Sequence, residues 1–144
     1  SPVDHVIEDR RAFEATIDAA MEAVRSGSIV LFGAEAAWPA TRYGYIRSGA
    51  QGHHGAFAVE TFVEKPDEAM AADLLSQGGW LWNSGMVLTS VAAVLSEFAK
   101  RQPAVLDAAR EALDGAAADL DFLRLEATAF ARSPSISFDA ALLA

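Results

Sequence analysis

No cysteine occurs in the 144 residues, so neither a disulfide frame nor a thiolate metal site exists. Cations are also scarce: 11 Lys and Arg stand against 20 Asp and Glu, a net charge of −9. Without a basic stripe the chain is expected to have no nucleic-acid partner and no affinity for an anionic membrane surface. An anionic sugar phosphate or nucleotide stays open only through local cations, because the long-range field repels it. No apolar run reaches bilayer-spanning length and no signal peptide opens the chain. A soluble, cytoplasmic protein is expected. An initiator Met is missing as well. The chain opens with Ser1-Pro2-Val3-Asp4-His5-Val6-Ile7, which reads as a strand-to-helix corner, so a fragment, a proteolysed product or a truncated form is expected.

Internal repeats, low-complexity tracts and linkers are absent too. What is present is globular composition, 52% apolar and 22% charged, enough for one modest domain with a real core. Residues 1–144 are read as a single, partial domain.

Asp9 caps a predicted helix whose apolar positions Phe13, Ile17, Ala20 and Val24 recur at helical spacing, with Ser26-Gly27 ending it. Ser28 to Gly33 is a continuous apolar run, the pattern of a strand buried on both faces of a parallel sheet. Tyr43 to Arg47 reads as a strand, Ser48 to Gly55 as a turn, and Phe57 to Val63 as a further strand stopping at Pro66. Asp67 caps a second helix ended by Gly78-Gly79. Trp80 to Leu88 is strand-like, interrupted by a corner at Asn83-Ser84-Gly85. Ser90 caps a third helix, and Pro103 opens a fourth that runs to about Leu113. The remainder reads as helix or loop as far as Arg132-Ser133-Pro134, followed by a last helix capped by Ser137 or Asp139. Strands interleaved with helices imply a layered α/β domain.

Four places offer chemistry. Glu64-Lys65-Pro66 ends a strand, where ligands collect in layered α/β domains. A carboxylate there accepts from neighbouring sugar hydroxyls, and an ammonium holds a phosphate as a point charge. Adjacent strand residues point to opposite faces, so both reach one ligand only if the strand ends or twists there. The plain alternative is an exposed edge pair before a helix. In Asn83-Ser84-Gly85, Asn offers both a donor and an acceptor and Gly admits close approach; an ordinary turn explains the same residues. Asp4, beside His5, and Asp139 each suit one carboxylate ligand of Mg²⁺, or equally a helix-approach residue and a helix cap. His53-His54 has no further ligand nearby in sequence and is read as loop. Trp38, Trp80 and Trp82 suit either a core or a sugar shelf.

The order of these pieces is more specific than any one of them. Pro2 to Ile7, Phe32-Gly33, Thr41 to Ile46, Phe62-Val63-Glu64-Lys65-Pro66, Trp82-Asn83-Ser84-Gly85-Met86 and Ser137-Phe138-Asp139 resemble, in sequence order, the motifs of bacterial mannose-1-phosphate guanylyltransferases. The resemblance implies an incomplete Rossmann-like nucleotide-diphospho-sugar transferase fold, with a mainly parallel or mixed sheet and flanking helices. It further implies mannose 1-phosphate and GTP as substrates of the full-length parent, and Mg²⁺ held by Asp4 and Asp139. Glu64 would bind sugar hydroxyls, Lys65 the sugar phosphate, and Gly44, Asn83 and Gly85 would line the sugar pocket. A homo-oligomer stays open.

This chain departs from that pattern in several places. No glycine-rich triphosphate loop with its following arginine is found. Ala40 stands where the family usually has Glu, Arg42 where it has Gly, and Ala140 and Ala144 where it has Tyr and Glu. Arg42 either supplies a further phosphate contact or fills the pocket. Two alternatives therefore stand beside the guanylyltransferase. One is a degenerate, non-catalytic sugar-phosphate-binding or regulatory module. The other is a related glucose-1-phosphate thymidylyl- or uridylyltransferase.

Overall fold

The computed structural model describes residues 6–52 and 55–143. They divide into two compact units, the first ending at Ala93 and the second covering Val94–Leu143.

The first unit opens with helix α1 (Arg10–Arg25), whose Asp9 cap accepts from the Ala12 N–H and whose last turn closes on Ser26. Four strands follow: β1 (Val30–Glu35), β2 (Tyr45–Gln51), β3 (Phe57–Val63) and β4 (Trp80–Leu88), with helix α2 (Glu68–Gln77) between the last two. They form one sheet in the order β1-β4-β2-β3. Every pairing in it is antiparallel. The expected layering of helices on a sheet holds, but the parallel arrangement expected for the Ser28–Gly33 run does not. Only residues 30–33 of that run enter β1, an edge strand that is half buried at its start and exposed at its end. A short apolar run does not specify the direction of its neighbour.

Alternation along β4 sends its side chains to two layers. Trp80 and Trp82 join Ala71 and Leu74 of α2 in a core with Ala40 and Tyr45. Leu81 points the other way, into an apolar cavity of about 650 Å³ shared with α1, β1 and the start of β3. Tyr45 is wholly buried, and its hydroxyl donates to the Ala40 carbonyl at 3.0 Å. Burial on this scale is worth roughly 1.5–3 kcal/mol per large side chain. Asp67 caps α2 through the Met70 N–H, and Gly78 ends it at φ +68°, a left-handed conformation that glycine adopts without a Cβ clash.

The corner expected at Asn83-Ser84-Gly85 is a bulge inside a continuous strand. Leu31 pairs with Val87 and Gly33 with Asn83, so Phe32 alone opposes three residues of β4. Gly85 takes φ +72° there. The Asn83 Oδ1 accepts from the Gly85 N–H and the Ser84 Oγ from the Met86 N–H, both at 3.2 Å, covering backbone donors that the bulge takes out of the ladder.

Helix α3 (Val91–Arg101) crosses the boundary between the units and starts on the Ser90 hydroxyl, which accepts from the Ala93 N–H. In the second unit, α4 (Pro103–Asp114) begins with proline at its first turn. A hairpin of β5 (Ala117–Asp119) and β6 (Phe122–Arg124) follows, then α5 (Ala127–Ala131) and α6 (Phe138–Leu142). The hairpin lies where helix or loop was expected. The α4–α5 contact buries Leu106, Ala112 and Ala129, and the Glu126 N–H donates to the Ala112 carbonyl at 2.9 Å. Phe98 of α3 meets Phe138 of α6 edge to face, with centroids 6.1 Å apart. Of the two caps weighed for α6 it is Ser137 that accepts from the Ala140 N–H, while Asp139 stands in the first turn.

Candidate functional site

The strand registers bring three of the expected residues into one row. Tyr45 pairs with Trp82 on one side and Val63 on the other. One residue further along, Gly44 therefore lies between Asn83 of β4 and Glu64 at the end of β3. The Asn83 N–H donates to the Gly44 carbonyl at 2.7 Å. A methyl group added at Gly44 would stand 2.8 Å from Phe62 Cζ and 3.0 Å from Glu64 Oε2. Gly44 is thus the floor of the row, and the Glu64 carboxylate leans over it. Asn83 and Glu64 are two strand spacings apart, roughly 10 Å, and no side chain stands between them on β2. Asn83 is the buried polar residue of the row, with 9% of its surface exposed.

Lys65 sits at the end of this row. Its φ of 42° is in the left-handed region, costly for a residue with a Cβ. The buried Pro66 behind it ends the strand. This turn breaks the alternation that would send Glu64 and Lys65 to opposite faces. The Lys65 Nζ lies 3.5 Å from Glu64 Oε1, with the lysine side chain 61% exposed and the glutamate 21%. So exposed a pair adds little to stability. It does leave an ammonium and a carboxylate side by side, open to a ligand.

An aromatic group backs the row. Trp38 meets Trp82 with ring centroids 4.3 Å apart and Tyr43 meets it at 5.3 Å. Trp38 and Tyr43 are exposed. The indole N–H of Trp82 is buried and has no hydrogen-bond partner among the described residues. The apolar cavity beside α1 is a different place: it has no ionisable lining residue, and none of Gly44, Glu64, Lys65 or Asn83 borders it.

Gly85 belongs to the bulge beside Asn83. Asp139 is half buried in the first turn of α6, in the second unit. Asp4, the other expected Mg²⁺ ligand, lies outside the described residues, as do His53 and His54. Among the described residues no three His, Asp or Glu side chains gather as a metal cluster. The part of Phe62 in the row escaped the sequence reading, because only the register places its ring against Gly44. No single-sequence signal gives that register.

Residues 2–127 match the family described as Nucleotidyl transferase. The chain is 48% identical over 142 residues to the xanthan biosynthesis protein XanB of Xanthomonas campestris pv. campestris (strain B100), covering 99% of this chain and 30% of that protein. It is 41% identical over 142 residues to a mannose-1-phosphate guanylyltransferase of Sinorhizobium fredii (strain NBRC 101917 / NGR234), covering 99% of this chain and 28% of the relative. The chain thus spans under a third of the length of these relatives. Among solved structures, the crystal structure of a mannose-6-phosphate isomerase from Helicobacter pylori superposes with a TM-score of 0.86 at 30% identity, covering 99% of this chain and 56% of that one. The mixed α/β fold and the match over most of the chain give one conclusion: this chain belongs to the nucleotidyl transferase family.

Proposed function

We propose that this chain supplies the sugar-phosphate side of an enzyme that transfers GMP from GTP to mannose 1-phosphate, forming GDP-mannose and pyrophosphate. The observation that carries the reading is the row Asn83–Gly44–Glu64 with Lys65 at its end. Glycine at this position keeps any β2 side chain from standing between the Glu64 carboxylate and the Asn83 amide, two groups suited to the hydroxyls of a sugar. Glu64 accepts from neighbouring hydroxyls, and the amide of Asn83 adds polar contacts. Lys65 neutralises the phosphate beside it. The relative named as a mannose-1-phosphate guanylyltransferase supports the choice of sugar and nucleotide.

In the reaction, a phosphate oxygen of the sugar phosphate forms a bond to the α-phosphorus of GTP. The bond from that phosphorus to the bridging oxygen breaks, and pyrophosphate carries off the electron pair. Such chemistry depends on positioning and charge neutralisation rather than on a protein nucleophile. Lys65 and Glu64 would do the positioning. Mg²⁺, when bound, would stabilise charge on the α-phosphate and the leaving group. This ion takes only one or two carboxylates and completes its shell with phosphates and water. Asp139 is a carboxylate of that kind in the second unit, and Asp4 is its partner by resemblance. The enzyme would work in the cytoplasm; among the described residues no helix is long and apolar enough to cross a membrane.

Titration calorimetry of the chain with mannose 1-phosphate tests the reading. Saturable binding that Lys65→Ala and Glu64→Gln both weaken is expected. Absence of binding, or full binding by both variants, would sink it. The transfer itself is tested by pyrophosphate release from GTP in a protein of the relatives' length carrying this segment, where Asp139→Asn should remove Mg²⁺-dependent turnover.

A further inference from the structure

Nine of the eleven Lys and Arg side chains stand in ion pairs among the described residues, and only Arg11 and Arg42 do not. Arg11 lies in the first turn of α1. Arg42 is exposed in the connection from β1 to β2, two residues before the glycine floor. In a chain of net charge −9, Arg42 is thus an exposed guanidinium that stands in no ion pair among the described residues.

The backbone on both sides of Arg42 is held. Before it, the Ala40 N–H donates to the Trp38 carbonyl at 2.8 Å, and the Ala40 carbonyl accepts from the buried Tyr45 hydroxyl. After it, Tyr43 packs on Trp82, and the Gly44 carbonyl accepts from Asn83. Arg42 therefore rides on an anchored segment rather than a free loop. Two residues span at most about 7 Å. The long arginine side chain covers a comparable distance, so its guanidinium can reach a group lying over Gly44. Relative to the pattern this chain resembles, Ala40 removes a carboxylate and Arg42 adds a guanidinium, making the segment two charges more positive.

We propose that Arg42 is a second cation for the phosphate of the bound sugar phosphate, acting with Lys65 and setting the preference of this site for a doubly charged phosphate monoester. This inference rests on the sugar-phosphate reading of the row. The planar guanidinium fork binds phosphate oxygens in pairs, which an ammonium cannot do. Among the described residues Arg42 stands in no ion pair that this contact would have to break.

The test is titration of the chain with mannose 1-phosphate at several salt concentrations, using the unaltered sequence, Arg42→Ala, Arg42→Lys and Lys65→Ala. Arg42→Ala should weaken binding roughly tenfold, the scale of one charge-assisted phosphate contact, and should flatten its salt dependence. Arg42→Lys should recover only part of the loss, and the thermal midpoint should be unchanged in both. If Lys65→Ala weakens binding while Arg42→Ala matches the unaltered chain in affinity and salt slope, this inference falls and the sugar-phosphate reading survives. If the unaltered chain does not bind mannose 1-phosphate, both fall together.

Discussion

The carboxylate of Glu64 lies over the α-carbon of Gly44, so close that a single methyl group there would stand 3.0 Å from Oε2. The two residues are 20 apart in sequence and meet because β2 and β3 pair. Gly44→Ala should therefore act on the carboxylate and on Phe62 together, the latter only 2.8 Å away. Overpacking of this kind costs about 1–3 kcal/mol. The expected outcome is a lower denaturant midpoint and weaker binding of mannose 1-phosphate. Gly27→Ala makes a useful contrast, because a methyl group there meets nothing and the cost comes from its φ of +93° alone. It should destabilise without touching affinity. Equal affinity in the two variants would show that Gly44 is not the floor of a site.

Lys65 combines a functional side chain with an unfavourable backbone, φ 42°, and substitutions can separate the two. Lys65→Gly removes the ammonium but relieves the left-handed strain, worth about 1–2 kcal/mol for a residue with a Cβ. Part of that gain is offset by glycine's greater entropy in the unfolded chain. Thermal stability should stay level or rise while sugar-phosphate binding is lost. Lys65→Val puts a β-branched side chain into the same conformation and should lose both. Thermal melts beside titrations distinguish the cases, and a Lys65→Gly variant that melts well below the unaltered chain would contradict the strain argument.

Much of this architecture is legible in the sequence, and the parts that are not share a physical cause. Asp9, Asp67, Ser90 and Pro103 each start a helix where their side chains predict, because capping is local chemistry. The strand Phe57–Val63 is likewise readable from its β-rich run. Strand direction is not, since it depends on which segment arrives beside β1. The β5–β6 hairpin was hidden because its two-residue turn is Leu120-Asp121, with Leu120 at φ 53°. The Asn-Gly or Gly signal that announces such a turn is missing. The candidate site divides the same way. Its residue types stand in the motifs, but the row that joins Asn83, Gly44 and Glu64 is a property of register. Register comes from pairing between segments far apart in sequence.

Trp82 offers a test of how that row is supported. Its ring fills the core against Ala71, Leu74 and Tyr45, yet its buried N–H finds no partner among the described residues. An unsatisfied buried donor costs about 1–3 kcal/mol. Trp82→Phe discards that donor along with part of the ring volume, so the two effects oppose each other. A net change within about 1 kcal/mol is expected, against about 3–5 kcal/mol for Trp82→Ala. Chemical denaturation measures both. A Phe variant as unstable as the Ala variant would mean that the N–H is satisfied in solution.

Glu126 allows a pH prediction with a definite sign. Its carboxylate accepts from the backbone N–H groups of Thr128 and Ala129 at 2.9 and 2.6 Å at the start of α5. These bonds, that from Thr128 foremost, hold its pKa below the ordinary glutamate value of 4.5. The folded form thus binds its proton less readily than the unfolded form. The stabilisation is fully present above the ordinary value and is lost as pH falls through the depressed one. Glu126→Gln cannot titrate, so the difference in midpoint between the two proteins should be constant near neutrality and shrink on acidification below about pH 4.5. Glu97, whose pKa is also lowered, by Lys100 and then Arg101, titrates in both proteins and cancels from the comparison. Denaturation series at matched ionic strength give the difference directly, and one that stayed constant down to the acid transition would show that the α5 cap is not formed in solution.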